Sequence, residues 1–273
     1  MRPPRKHTIP IKNARKLRPI GMISKKHNRL VAFEYNLTQE VNGREFSFRT
    51  PNNIAICLNV GNREYEMAKL LYSGIIYPKL GIGKNKIIFE DSELDLLYNY
   101  FEHIQTSLIF IYTAVEAFAN VAIPEAFTHE KLNNKKVKEI WGKEQIERWL
   151  STTEKICDIL PVVLGVNSPK GEPFWTDFKK LEEIRNNIIH QKTISNEVSI
   201  NSKFLSDFFD ERIFRIIYAG YQMIEYFCNK SAVPHVYFPV WMGSSNLQPL
   251  EVDNIEDYYQ EIPGLEDFLK ASM

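Results

Sequence analysis

The chain has 273 residues, of which 44% are hydrophobic, 12% aromatic and 25% charged, and its formal net charge is zero. This composition excludes a disordered or collagen-like chain and predicts a globular protein of one large domain or two small ones. The neutral total hides two oppositely charged ends. Met1–Arg29 holds ten Lys or Arg and no acidic residue, whereas Glu251–Asp267 holds seven acidic residues and no basic one.

Several features of the sequence favour a cytoplasmic protein that makes no membrane contact. The N-terminus is basic and interrupted by prolines, without the apolar core of a secretory signal. Three cysteines stand far apart with no CxxC pair, as expected in a reducing compartment. The most apolar run, Ser107–Ile123, is shorter than a typical membrane span and contains Glu116 and Asn120, so we expect a buried helix there.

Residues 1–90 are predicted to form a basic arm followed by a small α/β region. The dipeptide Asn42-Gly43 lies between two partly alternating stretches and favours the type I′ turn of a β-hairpin. The apolar stretch Asn53–Val60 is predicted to extend that sheet. Glu64–Ile76 has the spacing of a short helix, and Lys86–Phe89 is predicted to be a short strand.

Residues 91–230 carry a helical pattern. From Leu97 to Ala122 the apolar residues recur in alternating steps of four and three, which predicts one long helix that begins near Asp91 and ends before Pro124. Further helices are predicted in three segments, the first of them a helix or helical pair: Lys135–Leu160, Trp175–Lys192 and Phe204–Asn229. We therefore predict a mainly α fold, a bundle of four to five helices with a small β-containing N-terminal region. Residues 231–273 are predicted to be an irregular acidic tail.

Nucleotide and metal motifs do not fit the sequence. Gly81–Asn85 looks like part of a phosphate loop, but Pro78 stands where Walker A requires its first glycine, and Asn85 replaces the Ser or Thr that holds magnesium. None of the six histidines belongs to an HExxH or HxH arrangement. The sequence therefore predicts no metal and no cofactor.

A polar group on the predicted helix Trp175–Lys192 is the main functional candidate: Arg185, Asn186 and His190. Spacing alone carries little weight, because twelve Arg and six His give such an Arg–His separation about once by chance. Arg2–His7 has the same separation, but its prolines forbid a helix. On a helix Asn186 and His190 share a face, whereas Arg185 lies about 140° from His190. Two copies of the helix, related by a dimer axis, would bring these side chains together better than one copy.

This pattern resembles the HEPN family, whose hallmark is an Arg, often followed by a polar residue, and a His separated from the Arg by four to six residues. The resemblance covers residues 91–229, about half of the chain, and includes the small and apolar segment Ser107–Ile123, of the kind such domains use at their dimer contact. It implies a HEPN-like helical bundle that works as a homodimeric, metal-independent endoribonuclease, often a toxin or a phage-defence effector. The toxin–antitoxin branch often has a Tyr soon after the His, and here Gln191, Lys192 and Thr193 follow. A partner other than a nucleotidyltransferase antitoxin is therefore favoured.

The residue types suit cleavage of RNA, which carries its own nucleophile in the 2′-OH. His190 can exchange a proton, Arg185 can hold phosphate oxygens, and Asn186 can orient His190 or the phosphate. An exposed polar helix face with a partly buried His190 remains an alternative interpretation. A non-catalytic HEPN-like module that binds nucleic acid, nucleotide or a regulatory partner protein is the alternative function.

Two further groups are predicted to support this site. Glu116 is the single charge in its apolar run and is expected to pair with Arg185, or else with water or another basic residue, while Glu182 continues the polar stripe. The basic arm is expected to contact RNA phosphates or to dock on the acidic tail. Its basic residues are Arg2, Arg5, Lys6, Lys12, Arg15, Lys16, Arg18, Lys25, Lys26 and Arg29.

Overall fold

A computed structural model describes residues 20–24, 29–33, 36–80, 86–132, 137–190, 203–230 and 259–261. The protein is mainly helical and has small sheets, as the sequence predicts. Its chain divides into two compact units. One unit comprises residues 57–116 and 169–226, and the other comprises residues 1–56, 117–168 and 227–273.

The N-terminal strands form two antiparallel sheets. Strands β1 (Ile20–Ser24) and β2 (Arg29–Phe33) pair with each other, and a later strand, Tyr259–Glu261, adds to the free edge of β1. That later strand lies in the segment that we predicted to be irregular. Strands β3 (Asn36–Val41) and β4 (Arg44–Arg49) form a separate hairpin.

The turn of this hairpin is the one that the sequence predicts. Asn42 and Gly43 both have positive φ, 54° and 72°, and together they connect β3 to β4. A type I′ turn requires positive φ at both central positions, which Asn and Gly tolerate best. The hairpin prediction is therefore confirmed.

Residues Asn53–Val60 are helical, so the prediction of a strand there is wrong. They begin helix α1 (Asn53–Leu71), whose first turn is capped by Asn52 through a 3.1 Å hydrogen bond from the Ala55 N–H to Oδ1. The apolar residues that follow this cap also suit a buried strand, so the sequence pattern did not indicate a helix start. The helix continues through a π-helical turn (Tyr72–Ile76) into α2 (Tyr77–Leu80). Residues 86–90 form no regular element, so the strand predicted at Lys86–Phe89 is also wrong.

Helix α3 (Asp91–Val121) confirms the prediction of one long helix that ends before Pro124. Its recurring apolar residues are buried at Leu97, Ile104, Leu108, Ile111, Val115 and Phe118. By length and composition alone α3 is able to cross a membrane, but half of its most apolar window is buried inside the protein. A core helix of a folded bundle passes the same test.

The segment Lys135–Leu160 is more broken than predicted. Before it and within it lie a hairpin, β5 (His129–Leu132) and β6 (Lys138–Trp141), and then several short helical pieces. Gly142, with extended ψ, begins the first piece, and the Ser151 hydroxyl caps the second. These pieces are α4 (Lys143–Trp149), α5 (Thr152–Glu154), a π-helical turn (Lys155–Ile159) and α6 (Leu160–Leu164).

The last helices bear the candidate motif and complete the core of the unit formed by residues 57–116 and 169–226. Helix α7 (Trp175–Ile189) follows a 3-10 turn (Pro169–Gly171). The predicted helix Phe204–Asn229 is two helices, α8 (Lys203–Phe209) and α9 (Arg212–Lys230). Asp210 separates them, because its carboxylate accepts a 2.9 Å hydrogen bond from the Arg212 N–H at the start of α9. The strand Tyr259–Glu261 is β7.

Two glycines allow helices to approach α3 closely in this unit. A Cβ added at Gly61 of α1 would lie 2.4 Å from Ile111 Cδ1, and one added at Gly220 of α9 would lie 2.4 Å from Ile111 Cγ2. Ser107 of α3 donates a 2.9 Å hydrogen bond to the Gly61 carbonyl. Ile111 therefore packs directly against the backbone of α1 at Gly61 and of α9 at Gly220.

Candidate functional site

Arg185 lies at the centre of a polar group between α7 and α3. Its Nη2 is 3.4 Å from Glu116 Oε2, its Nη1 donates a 3.0 Å hydrogen bond to Asn186 Oδ1, and its Cζ lies 4.9 Å from the centre of the Tyr112 ring. The side chain is 18% exposed. The predicted pairing of Glu116 with Arg185 is confirmed, although Glu116 is 40% exposed rather than buried.

Tyr112 contacts the Arg185 guanidinium through its ring, and Glu182 in turn binds Tyr112. The Tyr112 hydroxyl donates a 2.8 Å hydrogen bond to Glu182 Oε1, and Lys179 forms an ion pair with the other carboxylate oxygen. The Tyr112 ring also stacks on Phe178 at a centroid distance of 6.2 Å. Glu182 therefore fixes the ring on which Arg185 lies, and acts on Arg185 through Tyr112.

The hydrogen-bonding capacity of Arg185 is only partly used. The Nε–H is buried and has no hydrogen-bond partner among the described residues. The separation of 3.4 Å from Glu116 exceeds the roughly 2.7–2.9 Å of a strong charge-assisted bond. Since a guanidinium has five N–H groups, each terminal nitrogen retains one donor beyond the contact described above.

His190 lies just beyond the motif helix. Helix α7 ends at Ile189, and His190 is the C-cap, with φ −107° and ψ 53° and a 2.9 Å bond from its N–H to the Asn186 carbonyl. The prediction that the helix extends to Lys192 is therefore wrong. The His190 side chain is exposed, and Asn186 contacts Arg185 through its side chain. The motif thus combines a held arginine with an exposed histidine at the end of the same helix.

The other predicted site residues are placed only in part. Nine of the ten arm residues lie outside the described residues, as do Gln191, Lys192 and Thr193, and Arg29 begins strand β2. In the segment predicted to form a dimer contact most side chains are buried within the single chain, among them Leu108, Val115 and Phe118. Among the described residues, no group of three or more His, Cys, Asp and Glu is placed to hold a metal ion.

Sequence reasoning missed Tyr112 and Lys179. Tyr112 precedes Glu116 by four residues on α3, and Lys179 precedes Glu182 by three on α7, so each shares a helix face with a predicted residue. That spacing is the signal by which they could have been found.

The chain matches no known protein-family model, no curated protein and no solved structure.

Proposed function

We propose that the protein is a metal-independent endoribonuclease of the HEPN type, a homodimer whose composite site cleaves RNA. The observation that carries the proposal is the placement of Arg185 on α7 and of His190 at its C-cap. The arginine is held by Glu116 and Tyr112 with terminal donors still available, and the histidine is exposed at the helix end. These are the two side-chain types that cleavage of RNA by its own 2′-OH needs.

The reaction balances without a metal or a cofactor. His190 accepts the proton of the 2′-OH, O2′ attacks the adjacent phosphorus, and the bond from phosphorus to O5′ breaks. A general acid, His190 of the partner subunit, gives a proton to the leaving O5′. The products are a 2′,3′-cyclic phosphate and a 5′-hydroxyl end.

Arg185 supplies the electrostatic part. Its free terminal donors meet the phosphate oxygens as charge builds on them, and Asn186 holds the guanidinium from one side. The Glu116 carboxylate competes with the phosphate for the same guanidinium. The basic arm adds contacts with RNA phosphates that do not depend on sequence.

A cytoplasmic toxin or antiviral effector is the biological setting that we propose for this activity. An enzyme that destroys cellular RNA must be restrained, which gives an antitoxin or another regulatory protein its place as a partner. The homodimer remains a prediction. In the part of α3 from Ile109 to Glu116, the half-buried side chains Ile109, Phe110, Thr113 and Glu116 are the ones available to a partner.

Cleavage of labelled RNA in EDTA tests the proposal. Wild type is expected to produce 2′,3′-cyclic phosphate ends, and His190→Ala to cleave about 10²- to 10⁴-fold more slowly. Asn187→Ala is the matched control, since Asn187 is an exposed polar residue of the same helix. Equal loss in Asn187→Ala, cleavage that EDTA abolishes, or a monomer with full activity would overturn the proposal.

The ion pair of Arg185 with Glu116 favours a second candidate, a non-catalytic module that binds nucleic acid, nucleotide or a regulatory partner. A guanidinium already paired with a carboxylate and an amide serves a structural role without any substrate. RNA binding by wild type with no cleavage at any salt concentration would favour this candidate.

A further inference from the structure

The hairpin β3–β4 has one apolar and one polar face. Cross-strand partners in an antiparallel pair lie on the same face, and faces alternate along each strand. The register therefore gathers Leu37 with Phe48, Gln39 with Phe46, and Val41 with Arg44 on one face. The other face carries Thr38, Glu40, Glu45, Ser47 and Arg49.

The apolar face is open to solvent. Phe46 is 51% exposed and Phe48 is 44% exposed, and Leu37 and Val41 are exposed as well. Every residue of β4 is exposed, so both faces of this strand are open to solvent. Contiguous exposed apolar surface often marks an interaction site, whereas single scattered apolar residues do not.

The two phenylalanines are spaced as a platform for bases. They are two residues apart on one strand, so their rings rise from the same face about 7 Å apart. Bases of a single strand stack on exposed aromatic rings, and this contact tolerates any sequence because every base has a π-face. A separation of about 7 Å leaves room for one base on each ring.

The basic residues on the hairpin and in the sequence before it also suit a single-stranded nucleic acid. Arg44 lies on the apolar face, in line with Phe46 and Phe48 along β4. Ten Lys or Arg without an acidic residue precede the hairpin in Met1–Arg29, and Arg29 is only seven residues from its first strand residue. Aromatic rings together with basic groups are the combination that binds single-stranded nucleic acid.

We propose that the apolar face of the hairpin, through Phe46, Phe48 and Arg44, binds single-stranded RNA by base stacking. The choice of RNA rests on the proposed function, whereas the stacking surface does not. A second copy of the chain fits this face less well, because the face has six residues and a stable dimer interface takes about 20–30 from each partner.

The test measures binding separately from cleavage. Full-length protein with His190→Ala is titrated against a fluorescein-labelled 12-residue oligouridine and against an RNA duplex of the same length, with anisotropy as the readout. Phe46→Ala and Phe48→Ala are each expected to weaken binding of the single strand by about 5- to 150-fold. The salt slope and the binding of the duplex are expected to stay unchanged, because phosphate contacts set both.

Three further variants separate stacking from other effects. Ser47→Ala lies between the two phenylalanines on the opposite face and is expected to bind as the parent does. Phe46→Trp is expected to keep the affinity, and Phe46→Leu, which keeps an apolar group without a flat ring, is expected to lose it. Because these rings are exposed, circular dichroism melts of all variants are expected to match.

Several results would overturn the inference. They are unchanged affinity in both alanine variants, equal loss for single strand and duplex, full affinity of Phe46→Leu, or no binding by the parent. A parent dimer that Phe46→Ala converts to monomer would assign the face to a second copy instead. Binding that depends on Phe46 in a protein that does not cleave RNA would sustain this inference while the proposed function fails.

Discussion

Arg185 of α7 and Glu116 of α3 form an ion pair with 3.4 Å between Nη2 and Oε2. The arginine is the more buried partner, 18% exposed against 40% for the glutamate. A surface pair of this kind contributes about 0–1 kcal/mol, so the bond is easily exchanged. Glu116 is therefore the member of the pair that a phosphate would displace.

Glu116→Gln is expected to strengthen RNA binding. The change removes the carboxylate that competes for the guanidinium, so Arg185 becomes available for one more phosphate contact. The slope of log K against log salt should steepen by about 0.7, the value of one added contact with a single strand. The free energy of unfolding should change by less than about 1 kcal/mol, since the pair is partly exposed. Anisotropy at several salt concentrations and urea unfolding measure both quantities.

Glu183→Gln is the control for this experiment. Glu183 lies on α7, is exposed and pairs with Lys180, so its replacement removes the same charge away from Arg185. An equal gain in both variants would mean that net charge alone strengthens binding. The interpretation of Glu116 as a competitor would then be wrong.

A second acidic residue, Glu64, is expected to make the stability of the protein depend on pH. Glu64 of α1 lies 2.6 Å from His103 Nδ1 and is also bound by Arg63. Burial raises the pKa of Glu64, but the hydrogen bonds and charges of His103 and Arg63 outweigh it and hold the pKa below its ordinary value. Stability from this carboxylate is therefore present above the unfolded pKa and is lost as the pH falls through the folded one.

Glu64→Gln is accordingly expected to be less stable than wild type at pH 7, by about 1 kcal/mol. The difference should shrink as the pH falls below about 4.5, where Glu64 of wild type protonates first in the unfolded chain and at lower pH in the folded protein. Urea unfolding of both proteins from pH 7 to pH 3 measures it. Glu144→Gln on α4, a replacement at an exposed position, should keep a constant difference. A difference for Glu64→Gln that stays constant with pH would contradict the prediction.

Predictions from the sequence succeeded where one strong signal dominates. The apolar steps of α3 and the Asn42-Gly43 turn each follow from a few residues at fixed spacing. The pairing of Glu116 with Arg185 follows from a single carboxylate in an apolar run, which needs a partner. Burial then decides the outcome, since α3 has to place its apolar side in a core.

The predictions failed where a local cap competes with periodicity. Asn52 starts a helix at a stretch that also suits a strand, and Asp210 divides a continuous helical pattern into α8 and α9. Helix α7 ends at Ile189, so His190 is already outside it, and helix periodicity does not reveal this end point. Tyr112 was missed because a tyrosine in an apolar run resembles a core residue, and only its spacing of four residues from Glu116 indicates a role at the site.

Gly220→Ala is expected to destabilise the protein by about 1–3 kcal/mol. The new methyl group would lie 2.4 Å from Ile111 Cγ2 and 3.1 Å from Leu181 Cδ2, so the buried Ile111 side chain or the backbone of α9 has to shift. The usual benefit of Ala over Gly in a helix, about 1 kcal/mol, is too small to offset this. Thermal or urea unfolding measures the loss.

Gly74→Ala and Ile111→Ala complete this test. A Cβ at Gly74 meets no atom within 4 Å, so Gly74→Ala is expected to be neutral or slightly stabilising. Adding Gly220→Ala to an Ile111→Ala background should cost less than adding it to wild type, because the clashing Cγ2 is gone. Equal costs in the two backgrounds would mean that Ile111 is not the source of the strain.

Lys155 is expected to be essential for the stability of its own unit. It is 2% exposed, and its Nζ donates 2.8 Å hydrogen bonds to Asn120 Oδ1 and to the Glu147 carbonyl. Lys155→Met keeps the apolar stem but leaves both oxygens without this donor, which should cost about 3 kcal/mol in urea unfolding. Lys138→Met, at a lysine that is well exposed, should change stability by less than about 0.5 kcal/mol. A loss no larger than that of Lys138→Met would show that the two hydrogen bonds contribute little net stability.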